Sequence, residues 1–505
     1  MGNAIDLPVD DSTQDSAIQR GGLVSAEGTD RGSRDGAPDG GTRGTPHDPA
    51  STVGSGAGCA PPRHDLRRPR ILLIVEGCNP QLTSVPLVGF FHSEALRQVA
   101  DVLVVTPKRN RSALAGVGWK EGKDFVCIHT ERLSRWAWKI STFLAGGTGV
   151  GWTLHAAAAV PLYYLFEQRL WERLGARIIA GEFDIVHRLV PLSPTMPSLI
   201  AARCRRHGIH FVVGPLNGGL PWPRAFNGAR IKEREWLSYV RCFHRLLPFH
   251  RSTHMCASAI IVASRDALRQ MPRGCRDRCF YIPENAIEPR RFPDVPRSLR
   301  AVTSPLRAVF VGRLVPYKGA DMLIEASANL LREGKLTLEI VGDGPQGSAL
   351  RALLDRLRLF DRVKLRGNLD HREVAAVLNQ CDVMAFPSIR EFGGGVVIEA
   401  MAAGAVPIVI NYGGPGELVT ERTGFLIEPG TREQIVERLS SLLRQLCSTP
   451  ELVISRSGPA RLRARTHFTW EAKAAQVMKV YRWILGQAVD KPVFPMPTPD
   501  DIDCR

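Results

Sequence analysis

Short apolar runs alternate with helical segments along most of the chain, and this pattern begins abruptly at residue 70. The first run, residues 70–75, is almost wholly apolar, as is typical of a strand buried on both faces of a parallel sheet. Runs of the same kind follow at residues 101–106, 184–187 and 211–214. Strands that alternate with helices predict a doubly wound α/β domain, which we place at residues 67–300.

The same alternation starts again after residue 300 and predicts a second α/β domain at residues 301–466. Its predicted strands are residues 308–311, 336–341, 363–365, 383–386 and 406–410. A helix is predicted at residues 321–332, and a last one at 469–485 within a C-terminal segment of residues 467–488. We therefore expect two α/β domains that meet near residue 300, followed by one more helix.

The first 66 residues have a different composition from the rest of the chain. They are rich in Gly, Ser, Thr, Asp and Pro, and they cannot bury enough apolar surface to offset the entropy of ordering, so we predict a disordered tail. Residues 1–69 contain ten acidic and seven basic residues, whereas the whole chain has a net charge of +16. The positive charge therefore belongs to the α/β body, where it suits nucleotide diphosphates, anionic membrane surfaces or nucleic acid.

Residues 140–166 form a stretch of 27 residues without Asp, Glu, Lys or Arg. The length is sufficient for a membrane span, but four glycines and Pro161 argue against one. Three interpretations stay open at this point: core packing, an interfacial or acceptor-binding element, and a true span.

Neither the cysteines nor the N-terminus indicate export or a metal site. The eleven cysteines are scattered, with Cys275 and Cys279 as the only close pair, so we expect neither a zinc site nor a disulfide framework. The N-terminus lacks the apolar segment of a signal peptide. We expect a cytoplasmic protein, with possible peripheral contact with the inner face of the membrane.

The most informative motif is a glycine-rich turn between two carboxylates, Glu391 and Glu399. The intervening sequence, Phe392 to Ile398, contains three consecutive glycines and then an apolar helix start. Glycines let a ligand approach the backbone, and a helix N-terminus favours anionic groups. Eight helical positions correspond to roughly 12 Å along the axis, which exceeds the separation of the two carboxylates in a glycosidase. Two separate ligand contacts are therefore favoured over a hydrolytic pair.

Two other loops follow predicted strands of the second domain. In the first, residues 312–319, Arg313 and Lys318 offer cationic groups to a diphosphate. The second, residues 342–347, matches the G-x-G-x-x-G pattern of dinucleotide-binding loops, with Asp361 as the acidic residue. Pro345 lacks the backbone N–H that a pyrophosphate needs, which disfavours this alternative.

In the first domain, His187 follows a predicted strand and is a candidate catalytic residue, although single histidines are more often structural. The turn at residues 214–223 contains Asn-Gly-Gly and Pro-Trp-Pro. Such a turn presents backbone N–H groups, and it is either a substrate contact or a tight structural turn.

Residues from about 305 to 430 resemble the donor domain of retaining glycosyltransferases of family 4, the group 1 glycosyltransferases with the GT-B fold. The resemblance rests on Gly312-Arg313-Leu314 with Lys318-Gly319, Val341 to Pro345, Asp382 to Pro387, Glu391 and Glu399 with Ala400-Met401-Ala402, and Gly413 to Glu417. It implies two Rossmann-like domains facing a central cleft, and a final helix that returns to the first domain.

The resemblance also implies roles for individual residues. Arg313 and Lys318 would hold the diphosphate of a nucleotide sugar, Glu391 would contact the sugar, and Glu399 the ribose. With His187, the predicted catalytic residues are Arg313, Lys318 and Glu391. The predicted donor-binding residues are Gly312, Asn368, Gly393, Gly394, Gly395, Val396 and Glu399. No metal and no cofactor are expected, because the nucleotide sugar is a co-substrate.

The chain departs from the family pattern at one point: the family usually has one residue and then Phe-Gly after the first glutamate, whereas Phe392 follows Glu391 at once.

The expected function is transfer of a sugar from a nucleotide-diphosphate sugar to a saccharide or lipid-linked acceptor, in surface polysaccharide or glycolipid synthesis. The alternatives are an NAD-dependent oxidoreductase that uses residues 342–347 and a non-catalytic sugar-nucleotide-binding protein. No RNA-binding motif supports a nucleic-acid partner.

Overall fold

The computed structural model describes residues 67–130, 152–226, 244, 246–292 and 305–494. The predicted disordered tail and the predicted domain boundary near residue 300 lie outside these ranges. Within them, the strands form two parallel sheets, one in each predicted α/β region. We refer to residues 67–292 as the first domain and to residues 305–467 as the second.

The sheet of the first domain has seven strands in the order β3-β2-β1-β4-β5-β6-β7. They are β1 Arg70–Val75, β2 Asp101–Pro107, β3 Phe125–Ile128, β4 Ile185–Val190, β5 His210–Leu216, β6 Ala259–Val262 and β7 Cys279–Tyr281. All neighbouring pairs are parallel. The chain order reverses between β1 and β4, which is the position where open α/β sheets bind ligands.

The sheet of the second domain has six strands in the order β10-β9-β8-β11-β12-β13. They are β8 Leu306–Val311, β9 Leu336–Val341, β10 Val363–Gly367, β11 Val383–Phe386, β12 Val406–Ile410 and β13 Phe425–Ile427. This sheet is also parallel throughout, and its order reverses between β8 and β11. The loops after β8 and β11 contain the cationic and glycine-rich motifs, so both motifs lie at one edge of the sheet.

Helices cover both sheets. Those of the first domain are Val85–Val99, Arg111–Gly116, Trp152–Ile179, Leu199–Arg206, His250–Met255 and Arg265–Gln270. Those that follow in the chain are Ala320–Arg332, Gly347–Leu357, His371–Gln380, Gly395–Ala403, Gly413–Leu418, Arg432–Ser448, Glu451–His467 and Trp470–Ile484. Successive side chains of β1 enter different cores, Ile71 and Leu73 on one face and Leu72 and Ile74 on the other. Burial on both faces explains the continuous apolar run.

The final helix, Trp470–Ile484, packs in the core of the first domain although it follows the second in the chain. Ala474, Val477 and Tyr481 are fully buried there, and Trp470 stacks on Phe91 with ring centroids 5.8 Å apart. The apolar face of this helix thus links the C-terminal part of the chain to the first domain.

Part of the uncharged stretch lies in the long helix Trp152–Ile179, which begins after residues 140–151, outside the described ranges. Tyr163 and Phe166 are buried in the core on one face of the first sheet, so this part of the stretch contributes to core packing. Among the helices that the structure describes, none is long and apolar enough to cross a membrane.

Candidate active site

An ion pair joins two loops at the carboxyl edge of the second sheet. Lys318 lies at the end of the loop after β8, and Glu391 lies in the loop after β11. The Nζ atom of Lys318 contacts Oε2 of Glu391, and both side chains are about nine-tenths buried. Because β8 and β11 are neighbours in the sheet, the fold brings together the cation and the carboxylate that the sequence predicted as separate site residues.

The surroundings of Lys318 are largely aromatic. Its ammonium lies 5.0 Å from the ring centroid of Phe386 and 5.9 Å from that of Tyr317. Burial lowers the pKa of Lys318 to about 7, whereas the carboxylate of Glu391 favours the charged ammonium. An ammonium held in such a dry site interacts more strongly with a bound anion than one in water does.

The glycine-rich turn places Glu391 beside the N-terminus of the helix Gly395–Ala403. Gly394 precedes this helix with a left-handed φ of 61°, which a side chain would disfavour. Its backbone N–H donates to Oε1 of Glu391 over 3.3 Å. The first N–H groups of the helix, from Gly395 and Val396, have no partner within the helix, and such groups favour an anion at a helix N-terminus.

Glu399 lies one turn into this helix and has a different partner from Glu391. Its Oε1 is 3.6 Å from Nη2 of Arg291, a residue of the chain between the two sheets. Burial raises the pKa of the Glu399 carboxyl, and the charge of Arg291 opposes this shift. The two carboxylates therefore belong to separate contacts.

The other predicted donor-binding residues lie on the same edge of the second sheet. Gly312 and Arg313 follow β8, and Gly312 packs against the ring of Phe386. Asn368 follows β10 and is exposed.

The glycines of the G-x-G-x-x-G loop are explained by packing against the neighbouring loop. A β-carbon at Gly342 would overlap with the carbonyl oxygen of Gly312, and one at Gly344 would lie 2.5 Å from that of Leu314. The backbone N–H of Leu314 also donates to the carbonyl of Asp343 over 2.9 Å. This spacing of glycines therefore needs no bound dinucleotide to account for it.

The turn after β5 packs against the loops of the second domain. The guanidinium of Arg390 lies 4.9 Å from the ring centroid of Trp222, and the hydroxyl of Tyr412 donates to the carbonyl of Pro221 over 2.9 Å. The rings of Trp222 and Tyr317 meet edge to face at 5.9 Å. The Pro-Trp-Pro part of the turn is thus an interdomain contact close to the Lys318–Glu391 pair.

Two glutamates that the sequence analysis did not assign also lie between the domains. Glu284, after β7, accepts a hydrogen bond from Nδ2 of Asn217 over 2.6 Å and lies against Gly393.

The second unassigned glutamate, Glu417, belongs to the helix Gly413–Leu418. It accepts from the backbone N–H of Arg265 at 3.0 and 3.1 Å and from the hydroxyl of Tyr281 at 3.2 Å. Both donors belong to the first domain, so Glu417 ties the two domains together. Burial raises the pKa of Glu417 to about 7.

His187 is fully buried in β4, and both its ring nitrogens are held by protein groups. Nε2 lies 2.6 Å from the carbonyl oxygen of Gly214, and Nδ1 lies 2.5 Å from the hydroxyl of Tyr481. Since a carbonyl only accepts, Nε2 carries the proton and Nδ1 accepts from Tyr481. Burial lowers the pKa of His187 to about 4, so the ring is neutral. This geometry gives His187 a bracing role between β4, β5 and the final helix.

The motif-bearing part of the chain is similar to known proteins. Residues 292–451 match the family described as glycosyl transferases group 1. A putative colanic acid biosynthesis glycosyltransferase, WcaL, of Salmonella typhimurium is 30% identical over 268 residues, which cover 51% of this chain and 63% of that protein. A glycogen synthase of Mycobacterium tuberculosis is 33% identical over 199 residues, covering 39% of this chain and 47% of that protein. The matches thus span less than two thirds of the length of each of these relatives.

Solved structures resemble the fold over a larger part of the chain. A structure of Anabaena Alr3699/HepE in complex with UDP and glucose has a TM-score of 0.53 at 17% identity, covering 83% of this chain and all of that one. Sucrose-phosphate synthase from Thermosynechococcus elongatus has a TM-score of 0.56 at 19% identity, with the same coverage. At such identities the likeness concerns the fold alone, and it confirms the expected GT-B architecture.

Proposed function

We propose that the chain is a retaining glycosyltransferase, a proposal supported by the match of residues 292–451 to the family described as glycosyl transferases group 1. It transfers a sugar from a nucleotide-diphosphate sugar to a saccharide or lipid-linked acceptor, in the synthesis of surface polysaccharide or glycolipid. The WcaL relative, named for colanic acid biosynthesis, supports this class of acceptor. The net positive body of the chain would favour an anionic membrane surface that carries a lipid-linked acceptor. The nucleotide sugar is a co-substrate, and the proposal needs neither a metal nor a cofactor.

The observation that carries the proposal is the buried Lys318–Glu391 pair beside the N-terminus of the helix Gly395–Ala403. A diphosphate requires cations and N–H donors, and both are present within this one loop cluster. A sugar requires a polar group beside the diphosphate, and Glu391 supplies one. Glu399, on the same helix, is available to the ribose hydroxyls.

The geometry favours catalysis through stabilisation of the leaving diphosphate. As the bond between the anomeric carbon and the diphosphate oxygen breaks, negative charge develops on that oxygen. Lys318, Arg313 and the N–H groups of Gly395 and Val396 would stabilise this charge. Such fixed dipoles and cations accelerate reactions because they interact more strongly with the transition state than with the ground state.

Nucleotide binding and turnover test the proposal. We expect UDP, GDP or ADP, and the corresponding nucleotide sugars, to raise the melting temperature of the full-length protein, while NAD has no effect. Stabilisation by NAD alone would overturn the proposal in favour of an oxidoreductase. If the wild type hydrolyses the nucleotide sugar and Lys318→Ala does not, the protein is an enzyme and does not only bind the nucleotide.

Retention at the anomeric carbon needs its own measurement. Once a donor and an acceptor support turnover, proton NMR of the first product formed gives the configuration of the new bond. An α-linked donor should give an α-linked product. A β-linked product would refute the retaining mechanism but would leave sugar transfer intact.

A further inference from the structure

Gly393, in the glycine-rich turn, lies against two polar side chains of the first domain. A β-carbon at this position would overlap with Oε1 of Glu284 and with Nδ2 of Asn285. Here any side chain at 393 would have to displace Glu284, so the glycine permits a carboxylate of the first domain to reach the turn.

Glu284 is held in a fixed orientation by a network of amide groups. Nδ2 of Asn217 donates to Oε1 of Glu284 over 2.6 Å, and Nδ2 of Asn285 lies 3.4 Å from the same oxygen. Oδ1 of Asn217 in turn accepts from the backbone N–H of Gly218 at 2.8 Å and from the hydroxyl of Ser264 at 3.1 Å. Since both donors reach the oxygen of the Asn217 side chain, its amide nitrogen must face Glu284.

The second carboxylate oxygen of Glu284 is left without such a partner. Within the described residues, side-chain hydrogen bonds reach Oε1 but none reaches Oε2. Glu284 is only 1% exposed. Oε2 is therefore the oxygen of this carboxylate that can accept a side-chain or ligand hydrogen bond.

Lys473, on the final helix, supplies a compensating charge but no hydrogen bond. Burial raises the pKa of Glu284, whereas the hydrogen bond from Asn217 and the charge of Lys473 lower it. The ammonium of Lys473 is fully buried and has no hydrogen-bond partner among the described residues. The carboxylate of Glu284 and the ammonium of Lys473 can thus each form a further hydrogen bond on the side of the first domain.

We propose that Glu284 contacts the transferred sugar and helps to determine which donor the enzyme accepts, with Oε2 accepting a hydrogen bond from a sugar hydroxyl. The inference rests on the proposed function and deepens it. Glu391 accepts the N–H of Gly394, and Glu284 lies at Gly393, so the two carboxylates flank consecutive residues of one turn. The nucleotide contacts proposed above all come from the second domain, and Glu284 would extend the site across the cleft to the sugar.

Affinities for a nucleotide and for its sugar conjugate separate this role from a structural one. The probes are UDP-glucose, UDP-galactose, UDP-N-acetylglucosamine, GDP-mannose and ADP-glucose, each paired with its nucleoside diphosphate, with the full-length protein. For the conjugate that binds the wild type, we expect Glu284→Gln to lower its affinity about tenfold, as for a lost hydrogen bond to a charged group. The affinity for the nucleoside diphosphate should stay unchanged.

Gly393→Ala provides an independent variant, because its methyl group should displace Glu284 without removing the carboxylate. We expect a loss of affinity for the conjugate in this variant as well. Glu172→Gln, an exposed glutamate of the first domain, is the matched control and should behave as the wild type. Analogues of the bound donor that lack one hydroxyl identify the contact, since one of them should bind the wild type and Glu284→Gln equally well.

The outcomes distinguish the two proposals. A wild type that binds none of the nucleotides or conjugates contradicts the proposed function, and the role of Glu284 fails with it. A wild type that binds a conjugate, with Glu284→Gln binding it equally tightly, refutes only the role of Glu284. If Glu284→Gln loses affinity for the nucleotide as much as for the conjugate, the role of Glu284 is also refuted, since this result indicates a structural effect on the whole cleft. Thermal unfolding of each variant without ligand shows whether it folds.

Discussion

Lys318 and Glu391 are 73 residues apart in the chain, yet their charged groups are in contact between the loops after β8 and β11. Each side chain is about 10% exposed, so water contributes little to the solvation of either charge. Each charge therefore depends on the other in the absence of a ligand. A diphosphate that enters the site would offer Lys318 a second anionic partner and would leave Glu391 available to a sugar hydroxyl.

The mutual dependence of this pair predicts non-additive stability effects. We expect Lys318→Met and Glu391→Gln each to lower the free energy of unfolding by about 3 kcal/mol, because each leaves one buried charge unpaired. The double variant should lose less than the sum of the two. Urea denaturation of the three variants measures the coupling, and donor hydrolysis should be abolished in all of them.

The exposed pair Lys335–Glu333 is a suitable control for the buried one. Its atoms are 2.8 Å apart, but the side chains are 60% and 49% exposed. We expect Lys335→Met to leave the free energy of unfolding almost unchanged. If the two single variants at Lys318 and Glu391 lose as little stability as this control, and their losses add up in the double variant, the buried contact contributes little.

Glu399 should distinguish a ribose from a deoxyribose. Its side chain is only 20% exposed, on the helix that begins at the glycine turn, and the proposed function assigns it to the ribose of the donor. We expect Glu399→Ala to weaken nucleoside diphosphate binding about tenfold, and to abolish the preference for ribonucleotides over their deoxy analogues. Calorimetric titration with both nucleotides measures the effect.

Arg291→Ala controls for the ion pair of Glu399 with Arg291. If Glu399 acted only by holding Arg291, the two variants would show the same nucleotide affinity and the same sugar preference. A ribose contact instead requires Arg291→Ala to keep the preference for ribonucleotides.

The long buried strands could be predicted from the sequence, whereas the shortest could not. The predicted strands at residues 336–341, 383–386 and 406–410 coincide with β9, β11 and β12. Strands β3, β6, β7 and β13, each of three or four residues, were not predicted. Such short runs give only a weak apolar pattern, and pairing with a neighbouring strand stabilises them instead.

The same limit explains which site residues could be predicted. Lys318, Glu391 and Glu399 stand in motifs with a recognisable spacing, and the structure brings the first two together. Glu284 follows the unpredicted β7, and its proximity to Gly393 depends on how the two domains pack. A contact between loops 109 positions apart leaves no periodic pattern in the sequence.

We expect Tyr481 to contribute to the stability of the fold and not to the reaction. Tyr481→Phe removes the hydroxyl that donates to Nδ1 of His187 and leaves a buried acceptor unsatisfied, which should cost about 1–3 kcal/mol. The turnover number of the folded protein should be unchanged. A large fall in turnover with an unaltered melting temperature would instead support the catalytic role that the sequence suggested for His187.

Glu417 should make the stability of the protein depend on pH in a defined direction. Burial raises the pKa of its carboxyl from 4.5 to about 7, while the N–H and charge of Arg265 and the hydroxyl of Tyr281 oppose the shift and Asp266 reinforces it. Between these pH values the folded protein keeps a proton that the unfolded chain has released. The stabilisation is therefore fully present below about pH 4.5 and is lost as the pH rises through about 7.

Glu417→Gln tests this dependence, because an amide oxygen in place of Oε2 can still accept from the N–H of Arg265 and from the hydroxyl of Tyr281, and the side chain stays uncharged. We expect the melting temperature of the variant, relative to the wild type, to rise between pH 5 and pH 8. Contributions from other buried groups, including His187, cancel in the difference between the two proteins. The exposed control Glu172→Gln should show no such trend. Parallel pH profiles for Glu417→Gln and the wild type would mean that the carboxylate between the domains keeps its ordinary pKa.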